Sequence, residues 1–246
     1  MNDLAGRTAL VTGAGHGIGR GCALALAEAG ADLVLVSRSA GELEGLAEEV
    51  RELGPAARPV ALDVKDSERV RMLAAELPRL DVLVHGAGAN IPEPLLQVTD
   101  AHLDALLTLN VRAAFVAVQA AARRMAAAGR GSIVLLSSQM GHVGAAGRTV
   151  YCTTKHAVEG LAKAAAVELA PRGVRVNTVA PTFVETPMTA PFLADPGFRA
   201  QVKARIPLGR LGRVEDVSAA VLYLASDGSA LVTGTSLLVD GGWTAQ

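Results

Sequence analysis

Tyr151 and Lys155 stand four residues apart near the start of a strongly helical stretch, so both side chains lie on one helix face about one turn apart. A free tyrosine titrates near pH ~10, too high for acid–base work at neutral pH unless a neighbour favours the phenolate. A lysine ammonium within ~4–6 Å is such a neighbour, because an opposite charge lowers an acid's pKa. Upstream, Ser138 closes the apolar run Ser132-Ile-Val-Leu-Leu-Ser-Ser and offers a hydroxyl to hold a carbonyl oxygen against the phenol. The rival reading is a Tyr and a Lys that merely adjoin on a helix surface. With two tyrosines and four lysines in 246 residues, chance pairing is rare, but the pair alone is only suggestive.

These residues need a scaffold, and the chain spells one out. Arg7 to Thr12 is a short β-rich run, broken by Gly13-Ala-Gly-His-Gly-Ile-Gly19, after which Cys22 to Ala29 reads as a helix ending at Gly30. Apolar strands follow at Leu33 to Val36, Pro59 to Leu62, Val82 to His85, Ile133 onward, Val174 to Val179 and Ser236 to Val239. Helical patterns alternate with them, at Gly41 to Leu53, Ser67 to Leu77, Asp100 to Ala128, Val150 to Ala170 and Val214 to Ala225. Pro181 to Pro207, with its five prolines, reads as irregular. Such alternation implies right-handed crossovers, hence an α/β fold with a parallel sheet covered by helices on both faces.

Composition sets the outer limits. A chain of 246 residues with 50% hydrophobic content fits one domain, and a net charge of -1 indicates no surface for nucleic acid. Cys22 and Cys152 have neither metal-site nor disulfide spacing and read as reduced thiols; no metal site is expected. No secretory profile and no run of 18 apolar residues is present, which points to a cytoplasmic protein without a membrane partner. The turn bearing Gly13, Gly15, Gly17 and Gly19 lies between strand and helix, where such glycines admit a pyrophosphate to backbone N–H groups. Its spacing departs from G-x-G-x-x-G, and by itself it is also compatible with an empty tight turn.

Taken together, Thr12-Gly-x-x-x-Gly-Ile-Gly19, Asn110, Ser138 and Tyr151-x-x-x-Lys155 resemble the short-chain dehydrogenase/reductase family over nearly the whole chain, from about Arg7 to Gly242. The resemblance implies a doubly wound, Rossmann-like sheet of seven parallel strands in the order 3-2-1-4-5-6-7, a nicotinamide cofactor and a homotetramer. It makes Tyr151 the general acid in ketone reduction and the base in alcohol oxidation. Lys155 would bind the nicotinamide ribose and lower the tyrosine pKa, Ser138 would polarise the substrate oxygen, and Asn110 would anchor a relay water. The implied cofactor set adds Gly13, Gly15, Gly17, Ile18, Gly19, Asp63 at the adenine, Val64, Ala87, Gly88, Pro181, Val184 and Thr186. Two departures stand out: His85-Gly-Ala-Gly88 replaces an Asn-Asn-Ala-Gly turn, which predicts a less rigid turn, and Thr182 replaces a glycine, which predicts a narrower pocket beside the nicotinamide.

After the second strand an NAD-binding protein usually presents an acid to the ribose 2'-hydroxyl, whereas this chain presents Ser37-Arg38, a hydroxyl and a guanidinium suited to a 2'-phosphate. NADP is therefore the expected cofactor, with NAD as the alternative, and the expected reaction is hydride transfer to or from a secondary alcohol or ketone carbon. Sugars or polyols and 3-oxoacyl compounds are the two substrate classes. His16 is a candidate phosphate contact, and Gln139 and His142 are candidate substrate contacts. A dinucleotide-binding regulator without turnover is the alternative function, but it has no need of Ser138, Tyr151 and Lys155 together.

Overall fold

The computed structural model describes residues 3–246. Its strands are β1 (Thr8–Thr12), β2 (Asp32–Ser37), β3 (Ala57–Ala61), β4 (Val82–His85), β5 (Gly131–Leu136), β6 (Val174–Pro181) and β7 (Ser236–Val239). They form one sheet in the order β3-β2-β1-β4-β5-β6-β7, with every neighbouring pair parallel. The helices are α1 (Gly17–Glu28), α2 (Ala40–Glu52), α3 (Ser67–Glu76), α4 (Asp100–Leu106), α5 (Ala113–Ala128), α6 (Thr149–Leu169), α7 (Ala190–Leu193), α8 (Pro196–Ala204) and α9 (Val214–Ala225).

The inner strands β2, β4 and β5 carry apolar runs because both faces are covered. Successive side chains alternate between two cores: Leu10, Leu83, Ile133, Leu135 and Val176 pack with α3, α5 and α6, while Ala9, Val11, Val82, Val84 and Val134 pack with α1, α2 and α9. At the far edge of the sheet a smaller apolar group of Leu193, Val202, Ile206 and Leu211 gathers Phe183, Phe198 and Trp243. That group ties down the segment after β6, whose residues reach the strand ends.

Three elements differ from the sequence reading. Helix α1 begins at Gly17, not Cys22, because the last glycines of the turn already belong to its first turn. The Pro181 to Pro207 stretch, expected to be irregular, contains α7 and α8; Asp195 caps α8 by accepting from the Phe198 N–H at 2.7 Å, and Pro196 sits at the first helical position, where its missing N–H costs nothing. The single long helix from Asp100 to Ala128 is interrupted by a π-helical segment, Leu107–Arg112. By length and composition that whole helix could cross a membrane, but 56% of its most apolar window is buried inside the protein, against the sheet.

Candidate active site

The carboxyl ends of β1, β2, β4, β5 and β6 open into a cleft of about 620 Å³, within the ~300–1,000 Å³ typical of small-molecule sites. Parallel strands place their following loops here, and the crevice between β1 and β4, where the strand order reverses, is the standard ligand position of such sheets. The glycine turn forms its floor. Gly13, at φ +70°, lies so close to the β4 loop that a Cβ would sit 2.8 Å from the Ala87 nitrogen, and a Cβ on Gly19 would sit 2.1 Å from the Gly13 carbonyl oxygen. No side chain fits at either place, so the chain backbone itself is what a ligand meets.

The turn after β4 is not loosened as the sequence suggested. His85 is buried, and its Nδ1 lies 2.9 Å from Thr12 Oγ1, so a β4 side chain braces the end of β1 directly. Burial, reinforced by the charge of Lys155, pushes the imidazole down to about 4, so it is neutral at ordinary pH and the brace persists. A side chain at Gly86 would be tightly placed: a Cβ there would lie 3.0 Å from the Thr12 oxygen and 3.1 Å from Leu136 Cδ1.

The proton-transfer candidates meet at the same edge. Ser138 follows β5, and Tyr151 and Lys155 project from the first turns of α6 into the cleft wall. The Lys155 Nζ donates to the Leu136 carbonyl at 2.7 Å and stands 5.5 Å from the centre of the Tyr151 ring. Burial dominates and pushes the phenol up to about 12, while Ser138 and the guanidinium of Arg148 pull the other way. In this state Tyr151 is a neutral phenol, the form that donates a proton to a developing alkoxide. Burial also lowers Lys155, to about 8, with Glu159 opposing.

Asn110 lies behind the wall, in the π-helical segment, and is buried. Its Oδ1 accepts from the Ala89 N–H at 2.9 Å, and its Nδ2 donates to the Ala89 carbonyl at 2.9 Å and to Thr154 Oγ1 at 3.1 Å. Thr154 in turn donates to the Tyr151 carbonyl at 2.8 Å. Both amide hydrogens are thus spent on protein, and the side chain couples the β4 loop to the helix that carries Tyr151. Thr154, fully buried, went unnoticed in the sequence because a threonine between Tyr151 and Lys155 carries no periodic signal.

Glu159 is the second residue missed. It sits one turn beyond Lys155 on α6, and its buried carboxylate accepts from Thr178 Oγ1 at 2.9 and 3.0 Å and from Ser236 Oγ at 3.1 Å. His142 Nε2 lies 3.3 Å from it and 2.9 Å from Ser236 Oγ, so this histidine serves the carboxylate and not a substrate. The available signal was the four-residue spacing Tyr151, Lys155, Glu159, which continues one helix face.

The remaining expected residues line one continuous wall. Gly13, Gly15, Gly17, Ile18, Gly19, Ser37, Arg38, Asp63, Val64, Ala87, Gly88, Pro181, Val184 and Thr186 all border the cleft, together with His16, Lys65 and Thr182. At the β2 end Arg38 is exposed and has no hydrogen-bond or ion-pair partner among the described residues, while Lys65 pairs with Asp63 at 3.4 Å. Cys152 is a buried free thiol. Buried polar side-chain atoms without partners also collect around this edge: His85 Nε2, Asn90 Oδ1, Ser137 Oγ, Gln139 Oε1 and Thr182 Oγ1, against Ser67 Oγ elsewhere. Of these, Ser137 and Thr182 line the cleft itself, where orphaned polar atoms are costly unless something polar fills the space, so the cleft suits a polar ligand such as a dinucleotide.

Comparison with known proteins agrees. A family model described as enoyl-(acyl carrier protein) reductase matches residues 13–244. An L-xylulose reductase from Mus musculus is 43% identical over 243 residues, 98% of each chain. Among solved structures, a short-chain type dehydrogenase/reductase from Mycobacterium marinum superposes with a TM-score of 0.94 at 38% identity, covering 100% of this chain and 98% of that one. A gluconate 5-dehydrogenase from Burkholderia cenocepacia, solved with NADP and tartrate, superposes with a TM-score of 0.96 at 35% identity over 100% and 98% of the two chains.

The Glu159 geometry makes a prediction about pH. Its negative charge favours the Lys155 ammonium, so Glu159→Gln should let Lys155 lose its proton at lower pH than about 8. In a pH–rate profile for carbonyl reduction, the alkaline limb of kcat/KM should move acidward by about half a unit or more. An unmoved limb in a normally folded variant would remove Glu159 from the role of counter-charge.

Proposed function

The chain belongs to the short-chain dehydrogenase/reductase family, and from that premise we propose that residues 1–246 form one dinucleotide-binding and catalytic domain that interconverts polyhydroxylated ketones and secondary alcohols with NADP(H). It is an NAD(P)-dependent oxidoreductase. The observation that carries the assignment of residues is the convergence of Ser138, Tyr151 and Lys155 on the wall of the glycine-floored cleft.

Bound there, the cofactor supplies the hydride for the carbonyl carbon. The Ser138 hydroxyl holds the carbonyl oxygen, and the neutral Tyr151 phenol gives its proton to that oxygen as negative charge develops. Lys155, kept cationic by Glu159 and fixed by Leu136, stabilises the phenolate left behind and faces the ribose. Run in reverse, the same phenolate removes the alcohol proton. Gly13 and Gly19 bring backbone N–H groups and the α1 N-terminus to the pyrophosphate. Val184 and Thr186 hold the carboxamide, and Ser37 and Arg38 receive the 2'-phosphate.

Similarity to a ketose reductase and to a sugar-acid dehydrogenase supports sugar-like substrates over 3-oxoacyl ones. A homotetramer is supported by the apolar surface of α5 and α6, where Phe115 is 52% and Val167 80% exposed. The free, buried Cys22 and Cys152 suit a reducing, cytoplasmic location.

Three measurements test these assignments. Tyr151→Phe deletes only the transferable proton, so turnover should fall well over 10-fold while NADPH still binds; retention of more than about a tenth of kcat, a loss under ~1.4 kcal/mol, refutes the general-acid role. Arg38→Ala should raise KM for NADPH about 10-fold or more and leave NADH nearly unaffected; equal effects on both cofactors would place Arg38 away from the phosphate. Light scattering at micromolar concentration should return about four chain masses, and a single chain mass would refute the tetramer.

A further inference from the structure

Beside the Tyr151 end of the cleft stands a cation that the mechanism does not use. Arg148 immediately precedes α6, three residues ahead of Tyr151, so its Cα lies about one helical turn, ~5 Å, from that of the reacting phenol. It is half-buried, and it caps nothing: no side-chain hydrogen bond of Arg148 serves the α6 N-terminus. Its guanidinium lies over the Phe192 ring of α7, 5.0 Å from the centroid, and its one hydrogen bond is a long one, 3.4 Å from Nη1 to the Gly147 carbonyl. That carbonyl already accepts from the Glu93 N–H at 3.0 Å. Most of the five N–H donors of the fork are therefore free.

The acids that could neutralise it are engaged elsewhere. Glu93 pairs with His102, Glu159 with His142, and Glu185 with Arg199. Arg148 itself has no carboxylate partner among the described residues, and its charge reaches Tyr151, where it favours the phenolate. The cations that line the cleft are placed differently: Arg38 and Lys65 sit at the β2 end, and Lys155 stands beneath the reacting group. A partly desolvated guanidinium without a counter-ion, held against an aromatic ring beside a reaction centre, is built to receive a planar anion.

Resting on the carbonyl-reductase reading above, we propose that Arg148 binds the carboxylate of the substrate, and that the preferred substrates are polyhydroxylated keto acids over neutral ketoses. One turn between Arg148 and Tyr151 suits a carboxylate separated from the reacting ketone by a few carbons. Met188 and Thr189, just ahead of Phe192 in the chain, line the cleft on the side that such a chain would cross. In the reaction NADPH gives a hydride to the ketone carbon and Tyr151 a proton to its oxygen, yielding the hydroxy acid and NADP+; the carboxylate is unchanged and serves only for recognition.

The experiment measures NADPH-dependent reduction of 5-keto-D-gluconate against D-fructose and L-xylulose, in the wild type, Arg148→Gln and Arg148→Lys, with NADPH binding by fluorescence as the check on folding and on the cofactor site. The wild type should favour the keto acid in kcat/KM, and the preference should shrink with added salt. Arg148→Gln should lower the ratio of keto acid to neutral ketose by about 10-fold or more, through KM more than kcat, and Arg148→Lys should restore part of it. Equal losses on acid and neutral substrates, or a wild type that prefers the neutral ketoses, would overturn the proposal while leaving the reductase reading intact. A wild type that binds NADPH and reduces none of the three would overturn both.

Discussion

Burying an ammonium group is expensive, and the candidate site is arranged around one. Lys155 is 7% exposed, and water is replaced by a single short hydrogen bond to Leu136 and by the negative charge of Glu159 one turn further along α6. For that to hold, β5 must end beside the start of α6, and Glu159 must itself be held by Thr178 on β6 and Ser236 on β7. The position of one cation thus depends on three strands and a helix being in register. The same constraint explains why Gly141 cannot be larger: a Cβ would sit 2.9 Å from Ser137 Oγ and 3.1 Å from Glu159 Cγ.

Around this cation the protein separates two jobs. Apolar packing on both faces of the sheet fixes the strands, with buried residues of α5 and α6 on one side and of α1, α2 and α9 on the other. Polar chemistry is confined to the strand ends, where backbone groups are free and where several buried hydroxyls and amides lack partners. Rigidity is spent close to the site. His85 bonds to Thr12, and Asn110 ties Ala89 to Thr154, so the β1, β4 and α6 ends are linked by side-chain hydrogen bonds.

Charge is distributed along the cleft in a way that matches an elongated anionic ligand. Arg38 and Lys65 lie at the β2 end and Lys155 near the middle, with Arg148 beside the cleft at Tyr151. The chain as a whole carries a net charge of only -1, so this arrangement is local and owes nothing to composition. Tyr151 stays neutral because burial raises the phenol further than Ser138 and Arg148 lower it.

Much of this was legible in the linear chain. Strands and helices announced themselves by apolar periodicity and glycine punctuation, and Tyr151, Lys155 and Ser138 by side-chain chemistry at spacings that helices and strand ends translate directly into proximity. What stayed hidden has a common physical cause, which is that it depends on contacts between segments distant in the chain. No pattern around Asn110 reveals that its amide will be consumed by Ala89 and Thr154, nor that a π-helical segment will place it there. His85 looked like the loss of a brace because its partner, Thr12, is brought to it only by the pairing of β1 with β4. The direction of the tyrosine pKa turned on burial, a property of the packed protein that no spacing in the sequence discloses. Local order and residue chemistry were determined by the sequence alone; which groups are desolvated, paired or left free was decided by the tertiary structure, because only folding brings those groups together and excludes water from between them.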